Sequence, residues 1–562
     1  MKNLMDKTSL ILTMLLVFLF NSCNEEKFFE LERPPQFPWQ NVNELEYVAV
    51  APYEEYFHDT WAGPHSQTLT FQVMQSDYWR WIGNVETYAT EQIYYRQYNQ
   101  RVGDIQQTFT KGYKIIGICN SGLDFFKEKE DEPFDVISPT SQTKNVLRIK
   151  GELLFMRAYC YYILVQTYCP PYDEATANEA ILPLRDHLSL GSDDALNNTP
   201  VPTSLIYDLM IADLKEAKEL LPEGYDNDMH VSYKSRARAT KYAASALLSR
   251  IYFMMRRFTG NESALSELDF VINNGGFSLE PDPFTNFNND DPYPDNDEVI
   301  WWSYYADPIK WPTAHAAKRL GHFNKNSSTA INGGRGTGTD WSQMVWFQMV
   351  PAKTALKKMD WMADPVNGDY TETDAARFDK RYQSLFYRYE GADPNAPSPE
   401  GLRSNASDDG KYLKLTNYYP LIGTNEAFVI LDKFHRSPAG AQQNIPVIRL
   451  AELYLTRAII KKRENQAGWA ADYNMVARRA WDEDAAGVAY VDKTDAEVSE
   501  EMIHIERWKE LAGEDEWYLQ YLFALKMPLG LGDRSQGQVI SYPYEGVGWE
   551  GSIPITEIDF RD

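Results

Sequence analysis

Asn145-Val-Leu147-Arg148-Ile-Lys-Gly151-Glu-Leu-Leu154-Phe-Met-Arg157-Ala158-Tyr-Cys160-Tyr161-Tyr-Ile-Leu-Val165-Gln-Thr-Tyr168-Cys169 decides the fold. Leu147, Gly151, Leu154, Ala158, Tyr161, Val165 and Tyr168 recur at alternating steps of four and three. That spacing returns to one side of a 3.6-residue helix, so the stretch predicts a long helix with a continuous seam. Pro170-Pro171 stops it, because proline disfavours helical backbone in the residue before it.

The pattern repeats on both sides. Upstream, 43–59 and 91–128 are helical, the second broken near Val102-Gly103. Between them 60–90 is irregular and dense in aromatics. Downstream, 173–202 is a loop ending at Thr203, the expected N-cap of a helix to Leu221 that Pro222 closes. Ala237 to Met255 and 262–273 follow as helices, the latter ended by Asn274-Gly275-Gly276. The character then changes. Residues 276–444 are rich in Gly, Pro, Asn and Asp, with one strand expected at Glu298-Val-Ile-Trp301-Trp302. Ile445–Lys462, 467–482 and 495–523 read as helices again, and 528–562 as a loop-like tail. Paired helices of this length suggest stacked tetratricopeptide-type units, although no repeat of 34 residues is readable.

The beginning of the chain reads as an address. Lys2 and Lys7 precede the apolar run Leu10 to Phe20, too short for the ~20 residues a membrane span needs. Phe20-Asn-Ser-Cys23 then looks like a bacterial lipobox, with an ordinary signal peptide and an incidental Cys as the alternative. The expected organisation is a signal peptide over 1–22 and a lipidated tether over 23–42 anchored at Cys23. A helical part over 43–275 includes the aromatic loop 60–90. A ligand-binding excursion over 276–444 and a C-terminal helical part over 445–562 follow. Cys119 and Cys160 fit small buried hydrophobes, and Cys169 sits at a helix end where more exposure is expected.

Composition limits the function. The 562 residues carry 81 acidic against 55 basic side chains, a formal charge of −26, which argues against nucleic acid and against anionic lipid. Aromatics make up 14 %, most of them expected to fill the core and line helix seams and a small part to line a surface that stacks on a ligand.

Several strings together resemble the SusD/RagB family. Arg148-Ile-Lys-Gly-Glu-Leu-Leu-Phe-Met-Arg157-Ala-Tyr-Cys-Tyr-Tyr162 is similar to its "R-x-x-R-A-x-x-Y-x-x-L" helix. Pro446-Val-Ile-Arg449-Leu-Ala-Glu452-Leu-Tyr-Leu-Thr-Arg457-Ala458 is similar to "P-V-I-R-L-A-E-x-Y-L-x-R-A". Glu506-Arg507-Trp508-Lys-Glu510-Leu-Ala-Gly-Glu514 resembles "E-R-x-x-E-L-x-x-E", and Ile553-Pro-Ile-Thr-Glu557-Ile558 the "I-P-x-x-E-I" tail. Thr68 to Asp77 resembles the early segment ending in Ser-Asp. Two departures stand out: Trp508 replaces a usual second Arg, and Glu514-Asp-Glu-Trp-Tyr-Leu519 replaces a usual Gly-x-Arg-x-x-D-L run.

The resemblance implies a mainly α SusD-like fold, with tetratricopeptide-type helix pairs supporting a large loop-rich region with few short strands. It implies a lipid-anchored outer-membrane protein on the cell surface. Such a protein binds an oligosaccharide or polysaccharide and caps a SusC-like TonB-dependent porin, without catalysis, cofactor or metal.

The residues give no catalytic motif of their own. There is no His-Glu-x-x-His pair, no Gly-x-Ser-x-Gly elbow and no phosphate loop; Gly333 to Asp340 is Gly-rich but lacks a βαβ setting. A glycosidase needs two carboxylates at a set separation, which composition alone does not exclude. A secreted glycoside hydrolase and a protein-binding scaffold without glycan affinity are therefore the alternatives. The positive signal is aromatic: sugar C–H faces pack on indole and phenol planes beside polar groups. Asp77-Tyr78-Trp79-Arg80-Trp81 has that composition, and alternation places Trp79 and Trp81 on one face with Arg80 opposite. The expected ligand contacts are Asp77, Trp79, Arg80 and Trp81, with Trp311, Arg335 and Trp341 in the excursion and Trp61 as a weaker candidate. Of Trp301 and Trp302, one is expected to be buried.

Overall fold

The computed structural model describes residues 39–57, 71–81, 92–96, 103–130, 134, 140–189, 194, 198–225, 236–287, 296–303, 349–366, 369–389, 412–413, 428–431, 433, 445–535, 537 and 539–544. Among these the chain is mainly α, with short two- and three-stranded sheets. Helix α1 (Val42–Phe57), α2 (Gly103–Glu128) and α3 (Thr140–Tyr168) pack on one another, and α4 (Thr203–Leu220) packs on α3. Helix α5 (Lys241–Met254) links α4 to α6 (Ala264–Asn274).

The long helix α3 differs from its expected one-sided seam. Every residue from Gly151 to Cys169 is buried, while Leu147, the first member of the seam, is exposed. A helix buried all round needs neighbours on all sides, and α1, α2 and α4 supply them. Gly151 lets α3 approach the end of α4: a Cβ there would stand 3.0 Å from Leu221 Cγ. Cys119 and Cys160 are buried as expected; Cys169 is buried too, because Tyr168 and Cys169 still lie within the packed end of α3.

The junctions correct the sequence reading in three places. Thr203 does not cap α4; Pro202 precedes the helix without a side-chain cap. Thr203 Oγ1 instead donates to Glu179 O at 2.9 Å, fastening the helix start to a ladder between β2 (Ala180–Pro183) and β3 (Pro200–Pro202) inside the expected loop. Ile445–Arg449 is not helical. It forms a strand that pairs antiparallel with Val299–Ser303, and α7 (Leu450–Arg463) begins only after it. The span 495–523 divides into α9 (Glu500–Leu511) and α10 (Tyr518–Ala524), following α8 (Trp469–Ala480). The strand Val299–Ser303 buries both Trp301 and Trp302, not one of them. Trp301 meets Phe155 and Tyr159 edge-on at 4.9 and 4.8 Å, joining the sheet to α3.

The strings that carry the family resemblance are a charged interior. Arg148 and Arg238 share Glu152 and Glu46. Arg157 grips Asp213 with two bonds of 2.8 and 2.7 Å. Arg449 reaches Glu298 at 2.8 Å, Glu514 at 2.7 Å and also Glu510. Arg507 holds Asp515 with bonds of 2.7 and 2.8 Å. Arg250 joins Glu452 and Glu516, and Trp517 Nε1 donates to Glu452 at 2.8 Å. The run that departs from the family pattern thus supplies partners: Asp515, Glu516 and Trp517 each complete one of these bonds.

Burial opposes ionisation of Glu510, yet Arg479, Arg449 and Arg381 hold its carboxyl well below the usual carboxylate range. Removing one partner from such a site leaves a buried charge unpaired, at a cost of about 3–5 kcal/mol.

Candidate functional site

The segment 71–81 runs from a helical turn through Asp77 into strand β1 (Trp79–Trp81). Gln75 Nε2 donates to Phe71 O at 3.1 Å and Ser76 Oγ to Val73 O at 2.6 Å, ending the turn and releasing the chain to extend. Strand β1 pairs antiparallel with Met349–Pro351, Trp79 opposite Pro351 and Arg80 opposite Val350. Ala352 N then donates to Tyr78 O at 2.8 Å, and a short helix, Lys353–Lys358, begins.

In β1 the burial of Trp79 and Arg80 is the reverse of the expectation. Trp79 is 0 % exposed and Tyr78 is buried; Arg80 is half-buried. Trp79 therefore has no surface to offer a sugar and belongs to the core, a correction to its place among the ligand contacts. The face of β1 opposite Trp79 carries a guanidinium. Tyr78 stacks on Trp508, 5.7 Å between centroids and 26° between planes, and meets Tyr518 edge-on at 5.1 Å. Trp508, the other departure from the family pattern, thereby anchors this segment to α9.

Asp77 is half-buried and accepts from Tyr518 OH at 2.8 Å, whose oxygen accepts from Trp508 Nε1 at 2.8 Å. One carboxylate oxygen of Asp77 thus serves the frame. The side chain of Trp81 and residues Cys23, Trp61, Trp311, Arg335 and Trp341 lie outside the described residues.

What holds β1 in place was not readable in the sequence. The tail expected as a loop docks beneath it, with Leu529 and Ile540 bridging antiparallel. Arg96 donates to Gln75 O (2.5 Å) and Gly530 O (2.7 Å). Arg534 donates to Tyr94 O at 2.7 Å, Leu531 O at 2.9 Å and Met74 O at 2.5 Å. Gly532 adopts φ +60°, and a Cβ there would meet Asp77 O at 2.3 Å, so only glycine fits this close approach. Asp533 accepts from Lys353 N (2.5 Å), Thr354 N (3.2 Å) and Thr354 Oγ1 (2.8 Å), capping the short helix. Pieces of chain more than four hundred residues apart meet here. The nearest signal in the sequence was Gly530-Leu-Gly532-Asp533-Arg534, a glycine pair beside a charged pair.

Lys353 sits below the ordinary lysine range: burial comes first, then the charge of Arg80, with Asp533 opposing and Lys357 adding to the depression. Lys358 Nζ lies 5.5 Å over the Trp508 ring. Among the described residues no group of three or more His, Cys, Asp or Glu could hold a metal ion, and no helix is long and apolar enough to cross a membrane.

Two family models match the chain. One, described as starch-binding and associating with the outer membrane, covers residues 47–253; the other, the SusD family, covers 297–519. The SusD-like protein P2 of Formosa agariphila is 28 % identical over 184 residues, which is 32 % of this chain and 30 % of that relative. Among solved structures, a SusD superfamily protein from Bacteroides thetaiotaomicron shares the fold with a TM-score of 0.65 at 18 % identity, covering 92 % of this chain and 98 % of its own. A laminarin-binding SusD-like protein aligns with a TM-score of 0.59 at 19 % identity, covering 93 % and 98 %. The two SusD models follow one another along the chain and together match more than half of it, so this chain belongs to the SusD/RagB family.

Proposed function

We propose that this chain is a cell-surface glycan-binding lipoprotein that captures an oligosaccharide or polysaccharide and delivers it to a SusC-like TonB-dependent transporter, acting as its lid. The observation that carries this is the pair of family models, one described by starch binding at the outer membrane, matching in order along the chain. The loop-rich region between the helical parts is the natural place for the ligand, since binding residues concentrate on loops held by a rigid scaffold. Asp77, Arg80 and Trp81 on the β1 rim, with Trp311, Arg335 and Trp341 from the excursion, are the proposed contacts. Acylation of Cys23 would tether the chain to the membrane, the several acyl chains of a lipobox cysteine giving stable anchoring.

Native gels cast with a panel of polysaccharides test the capture step. Retardation without released reducing sugar is the expected result; turnover of any polymer would make the protein a hydrolase. Pull-down from outer membranes tests the partner, with a TonB-dependent porin expected to come down with the lipoprotein. Retention of the porin with no glycan bound anywhere in the panel would favour a protein-binding scaffold.

A further inference from the structure

The loop between β2 and β3 is held in two different ways. Its base is fastened by the main chain to helix side chains. Asn120 of α2 donates to Arg185 O at 3.1 Å and to His187 O at 3.0 Å. Arg157 of α3 donates to Asp186 O at 3.1 Å, and Asp124 of α2 accepts from Leu188 N at 2.7 Å. Tyr161 OH of α3 accepts from Arg185 N at 2.6 Å. These bonds commit the backbone of 185–188 to the helices and leave the side chains of Asp186 and His187 exposed. The far arm is held by side chains instead. His187 Nδ1 lies 2.8 Å from Asp186 Oδ1, and its Nε2 lies 3.2 Å from Asp194 Oδ2. Arg185 donates to Asp194 O at 2.7 Å and to Asn198 Oδ1 at 2.9 Å.

We propose that Asp186, His187 and Asp194 form a pH-sensitive clasp: the doubly protonated imidazole draws the arm carrying Asp194 onto the fixed base, and loss of one ring proton releases that hold.

The case rests on counting protons. An ionised carboxylate only accepts hydrogen bonds, and a neutral imidazole has a single N–H. The bonds to Asp186 and Asp194 therefore exist together only when His187 carries a proton on each nitrogen. Two carboxylates beside the ring favour that charged form. The bond to Asp186 raises the imidazole above the ordinary 6.5, burial opposes the rise, and the bond to Asp194 adds to it. The same bond to His187 lowers the Asp186 carboxyl.

The other charged groups around the clasp, among the described residues, come from the loop itself and from α2, α3 and α4. Arg157 is paired with Asp213 of α4, and Asp124 is engaged by Leu188 N. Arg185, 3.6 Å from Asp194 Oδ1, keeps its charge at any working pH and supplies the part of the hold that does not titrate. Because the folded imidazole titrates above 6.5, the clasp is complete below that pH and is lost as pH rises through the folded value. Exposed ion pairs hold weakly, so the consequence is a local opening of the arm rather than unfolding.

The test uses the full chain labelled at its histidine rings, the His187 signal being the one that vanishes in His187→Gln. We expect it to titrate above the ordinary histidine value, and Asp186→Asn and Asp194→Asn each to bring it down toward 6.5. Hydrogen exchange of the peptide 188–198, corrected for the intrinsic effect of pH, reads the arm. Its protection should fall about two- to fivefold between about pH 5.5 and about pH 8.5, and the fall should disappear in His187→Gln. Titration of His187 at or below 6.5, or a value that neither Asp variant moves, would overturn the clasp. Protection that is level across this range, or that falls equally in His187→Gln, would overturn its control of the arm.

Discussion

Arg449 and Arg80 are the same side chain put to opposite uses. Arg449 is 2 % exposed and paired with Glu298, Glu510 and Glu514, carboxylates it shares with Arg479, Arg381 and Lys433 in one balanced network. Arg80 stands half-buried on a strand rim with Lys353, a like charge, close by. The first arrangement locks helices and sheet into one frame. The second sets two cations near each other at the edge of a short strand. The difference teaches that residue type alone does not tell a buried lock from a rim charge; the neighbours do.

Breaking the frame should have the largest effect. Arg449→Met removes one cation from three buried carboxylates, leaving Arg479 with Glu298 and Glu510 and Lys433 with Glu514, and should cost about 3–5 kcal/mol in denaturant unfolding. A loss under about 1 kcal/mol would show that the network is relaxed or hydrated rather than locked. On the rim, Trp79→Ala should cost a similar about 3–5 kcal/mol, since a fully buried indole leaves a cavity. Loss of glycan binding with the melting temperature unchanged would instead restore Trp79 as a ligand contact.

A subtler prediction concerns Lys433, whose Nζ donates to Glu510 O at 2.7 Å and to Glu514 at 2.6 Å. Burial lowers its ammonium from the ordinary 10.5 to about 8, against the pull of Glu514. Between those values the unfolded chain holds more protons than the folded one. The lysine's contribution to stability therefore rises as pH climbs from about 8 toward 10.5, and is lost as pH falls back through about 8. Unfolding free energies at both ends of that window, for the parent and for Lys433→Met, check the sign. The parent should gain relative to the variant at the alkaline end, and the opposite trend would show a lysine held charged by its network. Smallest of all, Arg80→Gln alone should move stability by no more than about 0.5 kcal/mol, which would separate its role from that of Arg449.

The helices were legible because apolar spacing survives in the sequence: 43–59 and 145–169 reappear within a few residues of their expected ends, α3 being extended at the start, and 91–128 reappears as α2 only from Gly103, at the break expected near Val102-Gly103. Ile445–Arg449 misled because Val447, Ile448, Leu450 and Ala451 also fit a helical period. Pro446 gave no warning, since proline is tolerated in the first turn of a helix. In β1 alternation correctly separated Trp79 from Arg80. It could not say which face points inward, because that depends on Trp508, Tyr518 and the tail, contributed from beyond residue 500. Local pattern reports faces; only tertiary contact assigns them. The motif charges Arg148, Arg157 and Arg507 were visible as family marks, but their burial was not, since each needs its carboxylate partner in place.

Arg96 and Arg534 grip the rim by main-chain carbonyl oxygens of residues 74, 75, 94, 530 and 531. A carbonyl is the same whatever side chain follows it. Those positions can therefore change residue over generations without loosening the clamp, provided the two arginines and Gly532 persist. Such a joint leaves the side chains around it at liberty to be rewritten while the frame that carries them is inherited intact.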